Sequence, residues 1–325
     1  MKVCIVGAGA VGGLIGARLA ANTAAEVSAL ARGDTVRALN AEGWRLKQGE
    51  ELLTRPTRAA SDARELGPQD LVIVAVKTPA MASIAAQIGP LLGPETAVLP
   101  AMNGVPWWFA QGLKGLGAEP LQSVDPGGTI ASAIPLGLVL GCVVHLSVAT
   151  AEPGLVVHRN GRGLIIGEPD GTSSTRLGKV HGLLTQAGFE VTSSPTIRRD
   201  IWYKLWGNLT MNPVSALTGA TGDRMLDDPL VRNFCSAAML EASAIGARIG
   251  CAIDQDPEAR HAVTRELGAF KTSMLVDAER GKPIELDAIV TAVHELGRRT
   301  GVPTPSIDAL LGLTRLFARS RGLYP

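Results

Sequence analysis

The stretch Lys2-Val3-Cys4-Ile5-Val6-Gly7-Ala8-Gly9-Ala10-Val11-Gly12-Gly13-Leu14-Ile15-Gly16 decides the fold. Residues 2–7 are a short run rich in β-branched side chains, the composition of a buried strand. Glycines follow at 7, 9 and 12, and apolar residues at helical spacing continue to about residue 21. A strand, a glycine turn and a helix in that order form a dinucleotide-binding fingerprint. Gly7 permits the tight turn, Gly9 lets the backbone approach a pyrophosphate, and Gly12 lets the helix pack closely on the strand. Ala8, Ala10 and Val11 complete the loop, and the helix start turns its free N–H groups toward the phosphates.

Outward from this unit the alternation continues. Residues 26–32 read as a second strand. Residues 70–77 are continuously apolar after Asp70, the mark of a strand buried on both faces. A helix is expected over 79–92, and a further strand over 96–101 runs into Met102-Asn103-Gly104. Strands alternating with helices at this spacing predict a parallel, doubly wound sheet. From about residue 137 the texture changes to strands separated by glycine turns, over 137–150, 154–159 and 163–167. A helix over 175–188 and a strand over 189–193 close this part. After Pro195 the pattern is wholly helical, over 198–217, 229–250, 257–280, 286–300 and 305–319. Asp256-Pro257 and Thr304-Pro305 are helix starts, and Gly250, Gly281 and Gly301 follow helix ends. The predicted class is α/β: an N-terminal Rossmann-type doubly wound sheet over 1–194 and an all-α domain over 195–325.

The 31 basic residues nearly cancel the 30 acidic ones, so no charge footprint suits nucleic acid or an anionic membrane, and neither partner is expected. The four cysteines have no C-x-x-C spacing, which fits reduced, buried thiols in a cytoplasmic protein. The five histidines are scattered and no metal site is expected. Residues 3–14 have the apolarity of an export signal, but their glycines fall at phosphate-loop spacing and no small-residue cleavage site follows. Residues 127–151 lack Asp, Glu, Lys and Arg, yet Pro135, Gly137, Gly141 and His145 favour buried strands and turns over a membrane helix.

Cofactor choice turns on the end of the second strand. Arg32 stands where an NAD enzyme usually carries a carboxylate for the ribose hydroxyl, and a guanidinium suits the 2′-phosphate of NADP(H). Asp34, two residues on, leaves NAD open. Lys77 and Asn103-Gly104 end two strands on the carboxyl edge, where ligands of open α/β sheets bind. In the helical part, Trp202, Leu205, Trp206 and Leu209 form an apolar stripe, while Lys204, Asn208 and Asn212 step by four along another face. That face could bind a polar carbonyl compound, and it is also the pattern of a solvated helix surface. Pro213 either interrupts this helix and frees a carbonyl, or follows Asn212 as the start of a new one. Ser273 and Asp277 share a later helix face, and Glu285 or Asp287 stands at the next helix start, where capping alone explains an acid.

Taken together, these residues resemble the ketopantoate (2-dehydropantoate) reductase family over nearly the whole chain. The likeness rests on Gly7–Gly12, Val76-Lys77, Met102-Asn103-Gly104, Trp202-x-Lys204-x3-Asn208-x3-Asn212-Pro213, Ser273-Met274-x2-Asp277 and Pro283-x-Glu285-x-Asp287. The resemblance implies hydride transfer from NADPH to the ketone of a branched 2-oxo acid. It implies Lys204 as general acid and Glu285 as the group holding that lysine and the substrate hydroxyl. Asn103, Asn208 and Ser273 match substrate-binding positions, to which the polar face adds Asn212. Arg32 and Lys77 match the holders of the extra phosphate, and Asn103 also counts among the cofactor contacts. The chain departs from the family at Gly222, where an asparagine is common, and at Ala288-Ile289-Val290-Thr291. Another type of two-domain dehydrogenase and a non-catalytic NADP sensor are the competing expectations. Leu310, Leu313 and Phe317 on the last helix are candidates for core or for a homodimer contact.

Overall fold

The computed structural model describes residues 1–113, 115–117 and 119–325. They cluster into two compact units, Met1–Met102 with Thr129–Asp200, and Asn103–Gly128 with Ile201–Pro325.

The first unit holds strands β1 (Lys2–Val6), β2 (Glu26–Leu30), β3 (Trp44–Gln48), β4 (Glu51–Arg55), β5 (Arg58–Ala60), β6 (Leu71–Val74), β7 (Ala97–Pro100), β8 (Gly141–Glu152), β9 (Leu155–Gly167) and β10 (Glu190–Ser193). Its helices are α1 (Ala10–Asn22), α2 (Gly33–Glu42), α3 (Met81–Ala85), α4 (Thr129–Ala133) and α5 (Thr175–Gln186). Among the described residues one sheet runs β5-β2-β1-β6-β7 with parallel neighbours. This order reverses direction between β1 and β6, the switch point at which such sheets bind ligands. A second sheet runs β10-β9-β3-β4, with β8 antiparallel to β9. Helix α1 packs against both sheets. Its Gly13 and Gly16 face the second, where an added Cβ would lie 2.6 Å from Val156 Cγ1 and 2.6 Å from the Trp44 ring. Val3, Ile5, Leu14, Ile15, Trp44, Leu46, Val156 and Ile166 are buried in one continuous core.

The second unit takes up α6 (Ile197–Thr218) from Ile201 onward, then α7 (Gly222–Asp227), α8 (Pro229–Arg248), α9 (Pro257–Arg265), α10 (Ser273–Glu279), α11 (Ala292–Thr300) and α12 (Pro305–Ser320). A π-helical turn, Asp287–Thr291, precedes α11. Met211, Val214, Met225, Leu226, Cys235 and Leu310 form one of its apolar clusters. No helix of the described residues is long and apolar enough to cross a membrane.

The expected α/β class with a Rossmann-type sheet and a helical C-terminal part is the observed one, with several local differences. The helix expected over 79–92 breaks into short pieces because Gly89-Pro90 cannot continue it. The helix expected over 257–280 ends at Arg265, and a new one starts at Ser273, with Thr272 accepting the Leu275 N–H as its cap. The two strands expected over 154–167 are one, β9, paired along its length with β8. Strands β3 to β5 escaped the sequence reading, although Trp44-Arg45-Leu46 alternates as a half-buried strand should. Residues 103–128, which the boundary at 194–195 left in the N-terminal part, fold with the helical unit. Trp107, Trp108 and Phe109 are buried there, Phe109 stacks on Trp202 at 6.0 Å, and the Val105 N–H donates to the Ala288 carbonyl at 2.8 Å.

Candidate active site

In the first unit the glycine turn leaves β1 at the switch point. Gly7 has φ +91°, and an added Cβ would lie 2.5 Å from Val76 Cγ1, so only glycine fits between β1 and the segment after β6. Its N–H donates to the Leu30 carbonyl at 2.9 Å, which ties the turn to the end of β2. Gly9 is the N-cap of α1 without any side-chain cap, and a Cβ there would meet nothing within 4 Å. Open space over an uncapped helix start, with backbone rather than side chains facing it, fits a pyrophosphate.

The edge departs from the expected pattern at Lys77. Strand β6 stops at Val74, so Lys77 does not end it. Exposed Lys77 is the N-cap residue of a 3₁₀ turn, Thr78–Ala80, set by Pro79 at its second position. It still follows Val76, the neighbour of Gly7. Arg32 is exposed at the start of α2, and its Nη2 donates to Ser83 Oγ of α3 at 2.7 Å. Ser83 belongs to no motif. Only folding brings it to Arg32, and it was missed for that reason. Asp34, close by, is paired with Arg37, and both are exposed.

The second unit gathers the side chains. Helix α6 runs straight through Pro213, so Asn212 caps no new helix and Lys204, Asn208 and Asn212 stay on one face. Trp202, Leu205, Trp206 and Leu209 on the other stripe are buried, as expected. The polar face is no solvated surface. Lys204 and Asn208 are half-buried, and Asn212 is 5% exposed. Lys204 Nζ donates to Asn103 Oδ1 at 2.7 Å. Asn212 Nδ2 is buried without a hydrogen-bond partner. An unmet buried donor costs about 1–3 kcal/mol, an arrangement that makes sense where a ligand supplies the acceptor.

Asn103 is steered by its own neighbour. Gly104, at φ +80°, lies so close to the π turn that an added Cβ would sit 2.6 Å from the Ala288 carbonyl oxygen. The segment carrying Glu285 and Ala288 is thereby brought to the loop that carries Asn103. Glu285 is buried, at 9% exposure. Asp287 starts the π turn and accepts from Thr291 Oγ1 at 3.1 Å and from Tyr324 Oη at 2.6 Å. Burial and the neighbouring Asp287 push the Tyr324 phenol up to about 12. Ser273 is the first residue of α10 and exposed. A hydroxyl relay ties that helix start to α6. Ser215 Oγ donates to the Asn212 carbonyl at 2.9 Å and bonds the Thr272 hydroxyl, itself the α10 cap. Its proton being spent on Asn212, Ser215 accepts from Thr272.

Residues 3–171 match the family described as Ketopantoate reductase PanE/ApbA, and residues 196–318 match its C-terminal counterpart. The chain belongs to the ketopantoate reductase family. The 2-dehydropantoate 2-reductase of Mesorhizobium japonicum is 43% identical over 325 residues, covering 100% of both chains. The crystal structure of a candidate ketopantoate reductase from Ralstonia solanacearum MolK2 superposes with a TM-score of 0.95 at 59% identity, covering 99% of each chain. The fold is also that of a D-mandelate dehydrogenase solved with NADH and anilino(oxo)acetate, at a TM-score of 0.84, 19% identity, and coverage of 99% of this chain and 100% of that one. Ketopantoate reductases are dinucleotide-binding oxidoreductases, and the two motif groups of this chain fall within the two matched segments.

Proposed function

We propose that this chain reduces ketopantoate (2-dehydropantoate) to pantoate with NADPH, the step that feeds pantothenate and coenzyme A synthesis. The observation that carries the proposal is Lys204 held 2.7 Å from Asn103 Oδ1, on the same helix face as half-buried Asn208 and the unpartnered amide of Asn212. Bound NADPH supplies a hydride to the ketone carbon. Lys204 donates a proton to the ketone oxygen as negative charge develops there, a contribution of roughly 10²–10⁴-fold. Asn103 aims the ammonium. Glu285, at the position the family uses to hold the lysine, accepts from Lys204 and from the substrate hydroxyl. Asn208, Asn212 and Ser273 bind the polar groups of the 2-oxo acid. The backbone of Gly7–Gly12 takes the pyrophosphate, with Asn103 as a further cofactor contact. Arg32 and Lys77 take the 2′-phosphate.

A different 2-oxo acid as substrate is the second reading, and one observation favours it. Gly222 carries no side chain, and the Phe270 ring fills the space a Cβ would enter, so that position has no amide to offer. NADPH oxidation with a panel of 2-oxo acids separates the readings. Ketopantoate is expected to show the highest kcat/KM, and a larger value for another 2-oxo acid transfers the proposal to that compound. NADPH binding without turnover of any of them marks a sensor. The four cysteines are all buried, which supports a cytoplasmic setting. Leu310 is core, whereas Leu313 and Leu316 on α12 are exposed and support a homodimer through that helix, which sedimentation tests.

A further inference from the structure

The segment bearing Glu285 is short, and residues 281–283 before it are exposed. Two other parts of the second unit hold it. On one side the Val105 N–H bonds the Ala288 carbonyl. On the other, the residues after α12 bracket Glu285. The Ile284 N–H donates to the Leu323 carbonyl at 3.1 Å just before it, and Tyr324 Oη donates to Asp287 Oδ1 at 2.6 Å just after it. Leu323 is 3% exposed and anchors this strap. Arg319 orients it further, with its guanidinium 5.7 Å from the Tyr324 ring centroid and its Nε donating to the Pro325 carbonyl at 2.7 Å. Asp287 is the first residue of the π turn. The turn's wider coil pairs the Ala292 N–H with the Asp287 carbonyl, an irregularity that recurs at functional sites.

We propose that Tyr324 is a positioning residue: through Asp287 and the Leu323–Ile284 bond it fixes where the Glu285 carboxylate stands. The proposal rests on the role given to Glu285 above. A carboxylate that must hold a proton donor works only within about 0.5 Å of its productive place, and a displacement of about 1 Å costs up to 10²-fold in rate. Nothing else in the sequence marks Tyr324, which lies 37 residues from Asp287.

The test is a double-mutant cycle on the full chain. Tyr324→Phe is expected to lower kcat about tenfold, within the cost of displacing the Glu285 carboxylate by less than about 1 Å, with the NADPH Kd close to wild type. In a Glu285→Gln background the same change is expected to cost less than about twofold, because the group it positions is already altered. An equal loss in both backgrounds, or a lowered melting temperature with unchanged kcat, overturns the proposal. Amide hydrogen exchange gives an arm that needs no turnover. Tyr324→Phe should speed exchange over residues 284–291 and leave α6 unchanged, and unaltered protection there also overturns the proposal. If the wild-type chain turns over no 2-oxo acid, the functional reading fails separately, and the exchange arm still decides whether Tyr324 holds the segment.

Discussion

The glycine turn of the first unit and the polar face of α6 in the second, proposed above as binding sites, present opposite kinds of surface. At Gly7–Gly12 the protein presents backbone. Side chains are absent at its glycines, and an uncapped helix start faces open space, the kind of surface that suits phosphates. At Lys204, Asn208 and Asn212 it presents side chains, brought inward on a helix whose other stripe is core, and one amide is left without a partner. A backbone site is tolerant of what surrounds it but not of any Cβ. A side-chain site is the reverse, since each group depends on a neighbour from elsewhere in the chain, as Lys204 does on Asn103.

This contrast can be broken most sharply at Lys204. Lys204→Ala should cut kcat by 10² or more while leaving NADPH affinity within a few fold of wild type, by roughly the worth of positioned proton transfer. Steady-state kinetics beside fluorescence titration of NADPH check it, and near-normal turnover refutes the assignment. Arg32→Ala tests the first unit. Loss of one charge-assisted contact of about 1.5–3 kcal/mol should raise the NADPH Kd about 10–100-fold and leave the NADH Kd nearly unchanged. A parallel rise for both cofactors would remove Arg32 from the 2′-phosphate.

Asn212→Leu sharpens the comparison by setting function against stability. Removing a buried, unmet donor should raise ligand-free stability by about 1 kcal/mol while raising the KM for the 2-oxo acid at least several-fold. Thermal melting and kinetics on one preparation read both, and a destabilised variant with unchanged KM would make Asn212 a structural residue. The smallest effect concerns Glu295 of α11, which holds residues 122 and 123. Glu295 accepts from the Gln122 and Ser123 N–H groups at 2.9 Å each and from Arg299 at 2.6 Å. Burial opposes its charge, but these donors outweigh burial and hold its carboxyl below the usual glutamate range. A lowered folded value contributes stability above the unfolded value, and that contribution is lost as pH falls through the folded one. Glu295→Gln should therefore melt lower than wild type at neutral pH, with the gap closing below about pH 4. A gap independent of pH would exclude the carboxylate as its source.

Much of this molecule could be read along the chain. The strand–glycine–helix order at residues 2–22, the buried run at 71–74 and the four-residue step from Lys204 to Asn212 are each set by neighbours a few positions away, so periodicity carries them. Strands β3 to β5 were not legible. They are short; β3 and β5 become strands by pairing with β9 and β2, distant in sequence, and β4 only by pairing in turn with β3. Lys77 was read as a strand end because apolar residues run up to it, whereas Pro79 sets the turn there.

The sequence by itself determined that a dinucleotide fingerprint opens the chain and that a lysine and two asparagines share a helix face. Both follow from spacing a few residues apart, which strand and helix periodicity records. Only the tertiary structure decided that Asn103 crosses to the helical unit, that Ser83 meets Arg32, that Asn212 is left without a partner and that Tyr324 reaches Asp287. These depend on which distant surfaces bury one another. Such contacts form where apolar area and buried donors are jointly satisfied, and no spacing along the chain records that.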